Sequence, residues 1–164
     1  MGIIGVYEST VDQKGRFLLP AGYKKQLPEE ESHTFILTQG FEKCLRLFTK
    51  KAWEPQFQKV SQLNDAYPKV RQLQRLFLQG TTYVEPDGAG RMLIPKNLLE
   101  YASLKKDIIL IPTSTCYEIW EQSAYNAVLA LGANIEESGL TDQGYSQLAE
   151  EVFNDPKYYN NFTR

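Results

Sequence analysis

The sequence contains very few of the residues on which metal binding and nucleophilic catalysis usually depend. Among its 164 residues there are two cysteines, Cys44 and Cys116, and one histidine, His33. Two cysteines cannot supply a structural zinc site by themselves, and a single imidazole excludes histidine-based metal clusters. Catalysis of the Ser-His-Asp type would have to use that one ring. We therefore expect no metal, no cofactor, no small-molecule substrate and no enzymatic activity.

Long apolar runs are also missing. No stretch approaches the roughly 18 residues that a membrane-spanning helix needs. Residues 1–8 lack the basic stretch and the apolar block of a secretory signal. The hydrophobic content of 42% is sufficient for one compact domain or for two small ones that share a core. We expect a soluble cytoplasmic protein without a membrane partner.

The charged residues are distributed unevenly along the chain. Residues 1–75 carry 12 Lys/Arg and 8 Asp/Glu, a net charge of +4, whereas residues 76–164 carry 6 and 12, a net charge of −6. A basic first half could face an acidic partner while the acidic second half keeps the protein in solution. The alternative is that both halves simply have ordinary solvated surfaces.

The chain contains an internal repeat. Residues 12–20 (DQKGRFLLP) recur as residues 87–95 (DGAGRMLIP), with five of nine positions identical. Further along, residues 44–48 (CLRLF) match residues 116–120 (CYEIW). Two copies at so long a period do not form a solenoid, so we expect a pseudo-two-fold pair that closes around one core.

Each repeated motif is predicted to form the tip of a β-hairpin. Alternation before the first motif and apolar residues after it indicate the two strands. Gly15 and Gly90 supply the positive φ that a short bulged loop requires. Asp12 and Asp87 stand at the loop start, where a carboxylate accepts hydrogen bonds from backbone N–H groups, so we expect them to brace the turn.

The remaining pattern predicts short helices after each tip, two strands per copy and closing helices. Pro68 should divide the long apolar stripe after residue 50 into two helical segments. Strands are predicted at residues 33–38, 45–48, 107–111 and 117–120. Helices are predicted at residues 21–27, from about 50, 68–78, 96–102, 123–131 with a stop at Gly132, and 142–153.

One arginine follows the glycine of each tip, Arg16 in the first and Arg91 in the second. Two such arginines on one face suit double-stranded DNA, because a guanidinium can meet the O6 and N7 acceptors of guanine with two parallel bonds. The DNA-binding residues are therefore expected to be Lys14, Gly15, Arg16, Gly90 and Arg91. Lys14 would contact phosphate or base, and because Ala89 takes its place in the second tip, the two loops cannot contribute equally. The alternative for each arginine is an ion pair within its own loop. The two roles are compatible, since an aspartate can hold an arginine in a presenting rotamer.

Phosphate contacts are expected from Lys24, Lys25, Lys50 and Lys51.

Several segments together resemble the bacterial MraZ family. They are the two Asp-x-x-Gly-Arg hairpins, residues 38–45 (TQGFEKCL), Trp53-Glu54 and residues 71–77 (RQLQRLF). The family's Asp-x-x-x-Arg signature maps to Asp12 with Arg16 and to Asp87 with Arg91. After Gly80 the chain has Thr81 where the family usually carries a histidine, and the acidic C-terminal stretch is expected to be extra.

The resemblance implies an α+β fold in which two AbrB-like half-repeats form a pseudo-two-fold swapped-hairpin β-barrel with flanking helices. It also implies a ring-shaped homo-oligomer that regulates transcription. Such a regulator binds repeated boxes upstream of the division and cell-wall gene cluster and is cytoplasmic and nucleoid-associated. We expect a first repeat at residues 1–79, a second at 80–132 and a partly helical acidic extension at 133–164. The alternative function is an antitoxin-like or ring-scaffold interaction module without DNA binding.

Overall fold

The structure is a computed structural model that describes residues 3–130 and 143–159. The described residues contain eight strands and six α-helices. The strands are β1 Tyr7–Thr10, β2 Arg16–Leu18, β3 Phe35–Gln39, β4 Leu45–Thr49, β5 Thr82–Val84, β6 Arg91–Leu93, β7 Asp107–Pro112 and β8 Tyr117–Glu121. The helices are α1 Ala21–Lys24, α2 Lys50–Ser61, α3 Pro68–Gln79, α4 Lys96–Tyr101, α5 Gln122–Ala130 and α6 Gln143–Asn154.

The strands form an antiparallel six-stranded sheet in the order β1-β7-β8-β4-β3-β5 and a separate two-stranded ribbon of β2 with β6. The two halves of the chain exchange strands, because β1 pairs with β7, β5 pairs with β3, and β4 pairs with β8. The predicted α+β class is confirmed. In the part of the chain that the structure describes, β1 and β5 lie at the two ends of the sheet order.

One core fills the space between the sheet and the ribbon, and both halves contribute to it. Phe17 of β2 and Met92 of β6 are buried there against Leu37, Leu47 and Tyr117 of the sheet. Successive side chains of a strand point to opposite faces. The neighbouring strand residues therefore face the other side of the sheet.

Helices α2 and α3 cover that other side. Thr49 caps α2, since its Oγ1 accepts a hydrogen bond from the Ala52 N–H at 3.1 Å. Trp53 of α2 stacks on Phe77 of α3 with 5.1 Å between ring centres. The break predicted at Pro68 is confirmed, because α3 begins at this proline. The ribbon and the α2–α3 pair thus lie on opposite faces of the sheet.

The described part of the C-terminal segment packs on the helical side. Val152 of α6 and Tyr158 are buried in one cluster with Leu63, Val70 and Leu73. The helix predicted at residues 142–153 is confirmed as α6 from residue 143 onward, and Asp142 lies outside the described residues. Of the helix predicted at 123–131 with a stop at 132, Leu131 and Gly132 lie outside the described residues.

The prediction for α1 extended three residues too far, since the helix ends at Lys24 rather than at residue 27. Leu27 precedes Pro28, and a residue before proline is disfavoured in the α conformation. Across residues 3–130 and 143–159, every helix is too short or too polar to cross a lipid bilayer.

Candidate nucleic-acid interface

The first hairpin tip is built around the carboxylate of Asp12. Its Oδ1 accepts hydrogen bonds from the backbone N–H groups of Lys14 and Arg16, both at 2.9 Å. The Asp12 carbonyl also accepts from the Gly15 N–H at 3.0 Å, and Gly15 has a φ of +83°. The aspartate and the glycine therefore fix the loop between them.

The second tip repeats this geometry with other residues in the loop. Oδ1 of Asp87 accepts from the N–H groups of Ala89 and Arg91, both at 2.9 Å. Gly90 has a φ of +80°. Since an alanine replaces the lysine without changing the turn, the side chain at this loop position plays no part in forming it.

Each tip aspartate also holds its own arginine. The distance from Nε of Arg16 to Oδ2 of Asp12 is 3.1 Å, and that from Nε of Arg91 to Oδ2 of Asp87 is 3.3 Å. Within the described residues no hydrogen bond engages the Nη atoms of either arginine. The intraloop ion pair therefore exists, and it leaves the outer edge of each guanidinium available to a ligand.

The same hydrogen bonds lower the pKa of both aspartates. For Asp12 the main cause is the bond from the backbone N–H of Arg16. Desolvation opposes it, and the Lys14 N–H and the Arg16 side chain add to the lowering. For Asp87 the backbone N–H of Arg91 is again the main cause. Both carboxylates are charged at neutral pH, which keeps the tips and their arginines in place.

The two tips meet in the β2–β6 ribbon. Phe17 pairs with Met92 at its centre, Arg16 lies opposite Leu93, and Leu18 lies opposite Arg91. Because Phe17 and Met92 point into the core, the other four side chains share the outer surface. We call this surface the ribbon face; it consists of Arg16, Leu18, Arg91 and Leu93. Its two arginines are diagonal neighbours across the ribbon, a relation in which residues lie about 7–8 Å apart.

Each tip is fastened to the opposite half of the chain. The Leu19 N–H donates to the carbonyl of Gly90 at 3.0 Å, and the Ile94 N–H donates to that of Gly15 at 2.9 Å. Neither tip can move without breaking a bond to the other half. The ribbon face is therefore one preorganised surface rather than two independent loops.

The lysines predicted to bind phosphate are all exposed, but they do not form one group. Lys14 projects from the first tip, and Lys24 and Lys25 lie in and just after α1, which follows β2. Lys50 and Lys51 begin α2 on the other face of the sheet, and Lys50 Nζ lies 5.9 Å from the ring centre of Tyr83. Phosphate binding by these lysines stays a prediction.

The structure also brings together a polar cluster that the sequence analysis did not predict. Ligand atoms of Glu42, Cys44 and Glu118 all lie within 4.8 Å of one another. Burial raises the pKa of the Glu42 carboxyl, and the Glu118 carboxylate raises it further. Burial also raises the pKa of the Cys44 thiol well above its usual value, with added effects of Glu118 and Glu42. The cluster could offer one sulfur and two carboxylate oxygen ligands to a metal ion.

Arg46 provides the positive charge beside this cluster. It lies directly opposite Glu118 in the β4–β8 pair and is only 8% exposed. Its Cζ lies 4.5 Å from the ring centre of Phe41 and 5.3 Å from that of Phe48. The cluster is a buried charged feature on the helical side of the sheet, away from the ribbon face. The repeat alignment places Arg46 and Glu118 at equivalent positions, but this equivalence does not predict that the two residues lie opposite each other.

Comparison with known proteins identifies relatives for the whole described chain. A family model described as "MraZ protein, putative antitoxin-like" matches residues 3–76 and again residues 77–141. A protein of Cytophaga hutchinsonii named transcriptional regulator MraZ is 39% identical over 147 residues, which cover 90% of this chain and 91% of the relative. A protein of the same name from Flavobacterium psychrophilum is 36% identical over 160 residues, 95% of this chain and 96% of the relative.

The longer alignment covers 95% of this chain and therefore includes most of residues 133–164. Among solved structures, PHS018 from Pyrococcus horikoshii is similar over 72% of this chain and 97% of that chain, with 18% identity and a TM-score of 0.33. At that score the similarity has no bearing on the fold.

Proposed function

The chain belongs to the MraZ family, and from this we propose that it is a sequence-specific DNA-binding transcriptional regulator. It acts as a ring-like homo-oligomer on repeated boxes upstream of the division and cell-wall gene cluster. The names of its relatives support a regulatory role, and none of those names describes an enzyme. The exchange of strands between halves supports the swapped-hairpin arrangement that this family implies.

The observation that carries the proposal is the pair of arginines on the ribbon face. Each guanidinium is oriented through Nε by its own aspartate, and its Nη atoms have no hydrogen bond within the described structure. The major groove admits a two-stranded β-ribbon, and its guanines present the O6 and N7 acceptors that suit such an arginine. Diagonal neighbours about 7–8 Å apart span about two base-pair steps of roughly 3.4 Å.

Oligomerisation compensates for the low charge of one chain. A net charge of −2 leaves few cationic contacts, and non-specific DNA affinity increases with the number of phosphates neutralised. Several copies in one particle raise the effective concentration of each later contact to roughly millimolar where the geometry allows. Repeated boxes would then be bound tightly although one box is bound weakly. We propose a cytoplasmic, nucleoid-associated particle whose subunit comprises repeats 1–79 and 80–132 and extension 133–164.

The test removes the arginines one at a time. Arg16→Ala and Arg91→Ala should each weaken binding to the chain's own upstream region by about 5- to 150-fold, because a bidentate guanine contact contributes about 1–3 kcal/mol. Mobility shifts at two salt concentrations measure this, and light scattering should give an unchanged particle mass. Arg75→Ala, which removes an exposed charge from α3 on the opposite side of the sheet, is the matched control. Unchanged affinity of the double variant would rule out the ribbon face as the DNA-binding surface.

A second candidate is an antitoxin-like or ring-scaffold module that binds protein and no DNA. The description of the matching family model favours it. The same measurement separates the two functions, since DNA binding weakens steeply as salt rises whereas a protein scaffold produces no shift at either concentration.

A further inference from the structure

The ribbon face carries two exposed leucines that neither the core nor the tip geometry explains. Leu18 is 55% exposed and Leu93 is 54% exposed. Their neighbours in sequence, Phe17 and Met92, are buried, so the exposure follows from strand alternation. The two leucines occupy equivalent positions of the repeat. Two large apolar side chains exposed together on one face of a two-stranded ribbon are a patch of the kind that contacts a partner.

The arrangement around the leucines restricts what that partner can be. Leu18 lies directly opposite Arg91, and Leu93 lies directly opposite Arg16, so apolar and cationic groups alternate around four positions. A partner that covers the leucines also covers the guanidinium groups. It must therefore offer hydrogen-bond acceptors a few ångströms from apolar groups, because burying the Nη atoms without acceptors would cost free energy.

The major groove of DNA offers that combination. Guanine presents two acceptors there, and thymine presents a C5-methyl group, the apolar feature of the groove. Cytosine presents an N4 amino donor instead, which a leucine would desolvate without replacing its hydrogen bond. The surface of a second copy of this chain is the other possible occupant, and a purely apolar patch on it would leave the arginines unsatisfied.

We propose that Leu18 and Leu93 contact thymine methyl groups in the major groove, so that the ribbon face recognises thymines next to the guanines bound by Arg16 and Arg91. This inference rests on the proposed function. The leucines are then specificity-determining residues of the DNA site. The pseudo-two-fold relation of the two halves makes their two contacts equivalent.

The experiment uses the wild-type chain and a duplex that it selects from a random library. Every thymine in the protected region is replaced by deoxyuridine, which lacks only the methyl group. One buried methyl changes affinity by about fourfold, so two contacts should weaken binding by about 15-fold. In Leu18→Ala/Leu93→Ala the thymine and uracil duplexes should bind equally. Leu78→Ala, an equivalent change of an exposed leucine on α3, should keep the wild-type ratio.

The outcomes separate this inference from the proposed function. Equal binding of the two duplexes by the wild-type chain overturns the inference, and this measurement needs no variant to fold. If that binding still depends on Arg16 and Arg91, the proposed function stands. If no duplex is selected, both fail. A changed particle mass in Leu18→Ala/Leu93→Ala, measured by light scattering, would assign the leucines to a contact between subunits and overturn the inference as well.

Discussion

Two hairpin tips with different loop residues adopt one geometry because the bonds that define it are local. An aspartate carboxylate and a glycine with positive φ lie within four positions of each other in both tips. No distant residue is needed to close either loop. This is why the tips, their bracing aspartates and their arginines could be predicted from the sequence.

The surroundings of the two glycines differ, and this gives a prediction. A Cβ at Gly15 would lie 2.9 Å from Cδ1 of Leu99 and 3.1 Å from the carbonyl oxygen of Ile94. A Cβ at Gly90 would meet only Cδ1 of Leu18, at 3.5 Å. Gly90→Ala should therefore cost only the left-handed backbone penalty of about 1 kcal/mol, and Gly15→Ala about 2–3 kcal/mol.

Urea denaturation of the two variants measures this difference in the free energy of unfolding. Gly88→Ala is the control. A Cβ at Gly88 has open space around it, and Gly88 is not among the glycines with positive φ. Equal losses at Gly15 and Gly90 would contradict the prediction.

The buried cluster around Arg46 shows where residue-scale reasoning stops. Arg46 and Glu118 are 72 positions apart and face each other only because β4 and β8 pair in one particular register. A change of one residue in that register would place the two side chains on opposite faces of the sheet. Repeat equivalence relates the two positions, but it does not state that they are neighbours.

At the scale of elements, the sequence predicts helices and strands well where local signals define their ends. The break at Pro68 is such a case, since proline favours the first turn of a helix. The position at which α6 packs is not defined by local signals. It depends on which apolar face remains uncovered after the sheet has formed. Nothing within residues 143–159 specifies that face, and the packing on α3 was not predicted.

The packing of α6 can be tested through Val152, which is fully buried between α6 and α3. Val152→Ala removes two methyl groups from the cluster and should lower the free energy of unfolding by about 2 kcal/mol. Its affinity for DNA should not change, because α3 and the ribbon face lie on opposite sides of the sheet. Glu150→Ala, on the exposed side of the same helix, is the control for helix propensity and charge.

Thermal or urea unfolding together with a mobility shift of the upstream region provides both measurements. A loss of DNA affinity in Val152→Ala at a temperature where the variant is folded would show that the C-terminal helix contributes to the binding surface. An unchanged free energy of unfolding would show that α6 does not pack on α3 in solution.

At the scale of the whole molecule, the exchange of strands makes each half an incomplete domain. β1 of the first half has its partner in the second half, and β5 of the second half has its partner in the first. The core between the sheet and the ribbon also contains residues of both halves. The repeat predicted one body with a pseudo-two-fold axis, but the individual pairings required the structure.

This arrangement predicts that the two halves unfold together. The chain has two tryptophans. Trp53 lies in α2 of the first half and Trp120 in β8 of the second. In Trp53→Phe only Trp120 reports, and in Trp120→Phe only Trp53 reports. Since neither half can keep its sheet without the other, the fluorescence of each variant should follow the same unfolding curve as its own circular dichroism.

Fluorescence and circular dichroism are compared within each variant rather than between variants. Each substitution changes packing and therefore shifts the midpoint of the unfolding transition by its own amount. Coincident fluorescence and circular dichroism in both variants support one cooperative unit. A fluorescence transition that precedes the loss of secondary structure in one variant would show that its half unfolds independently. In that case the ribbon could separate into two loops, and the fixed spacing of Arg16 and Arg91, on which the proposed DNA recognition depends, would be lost.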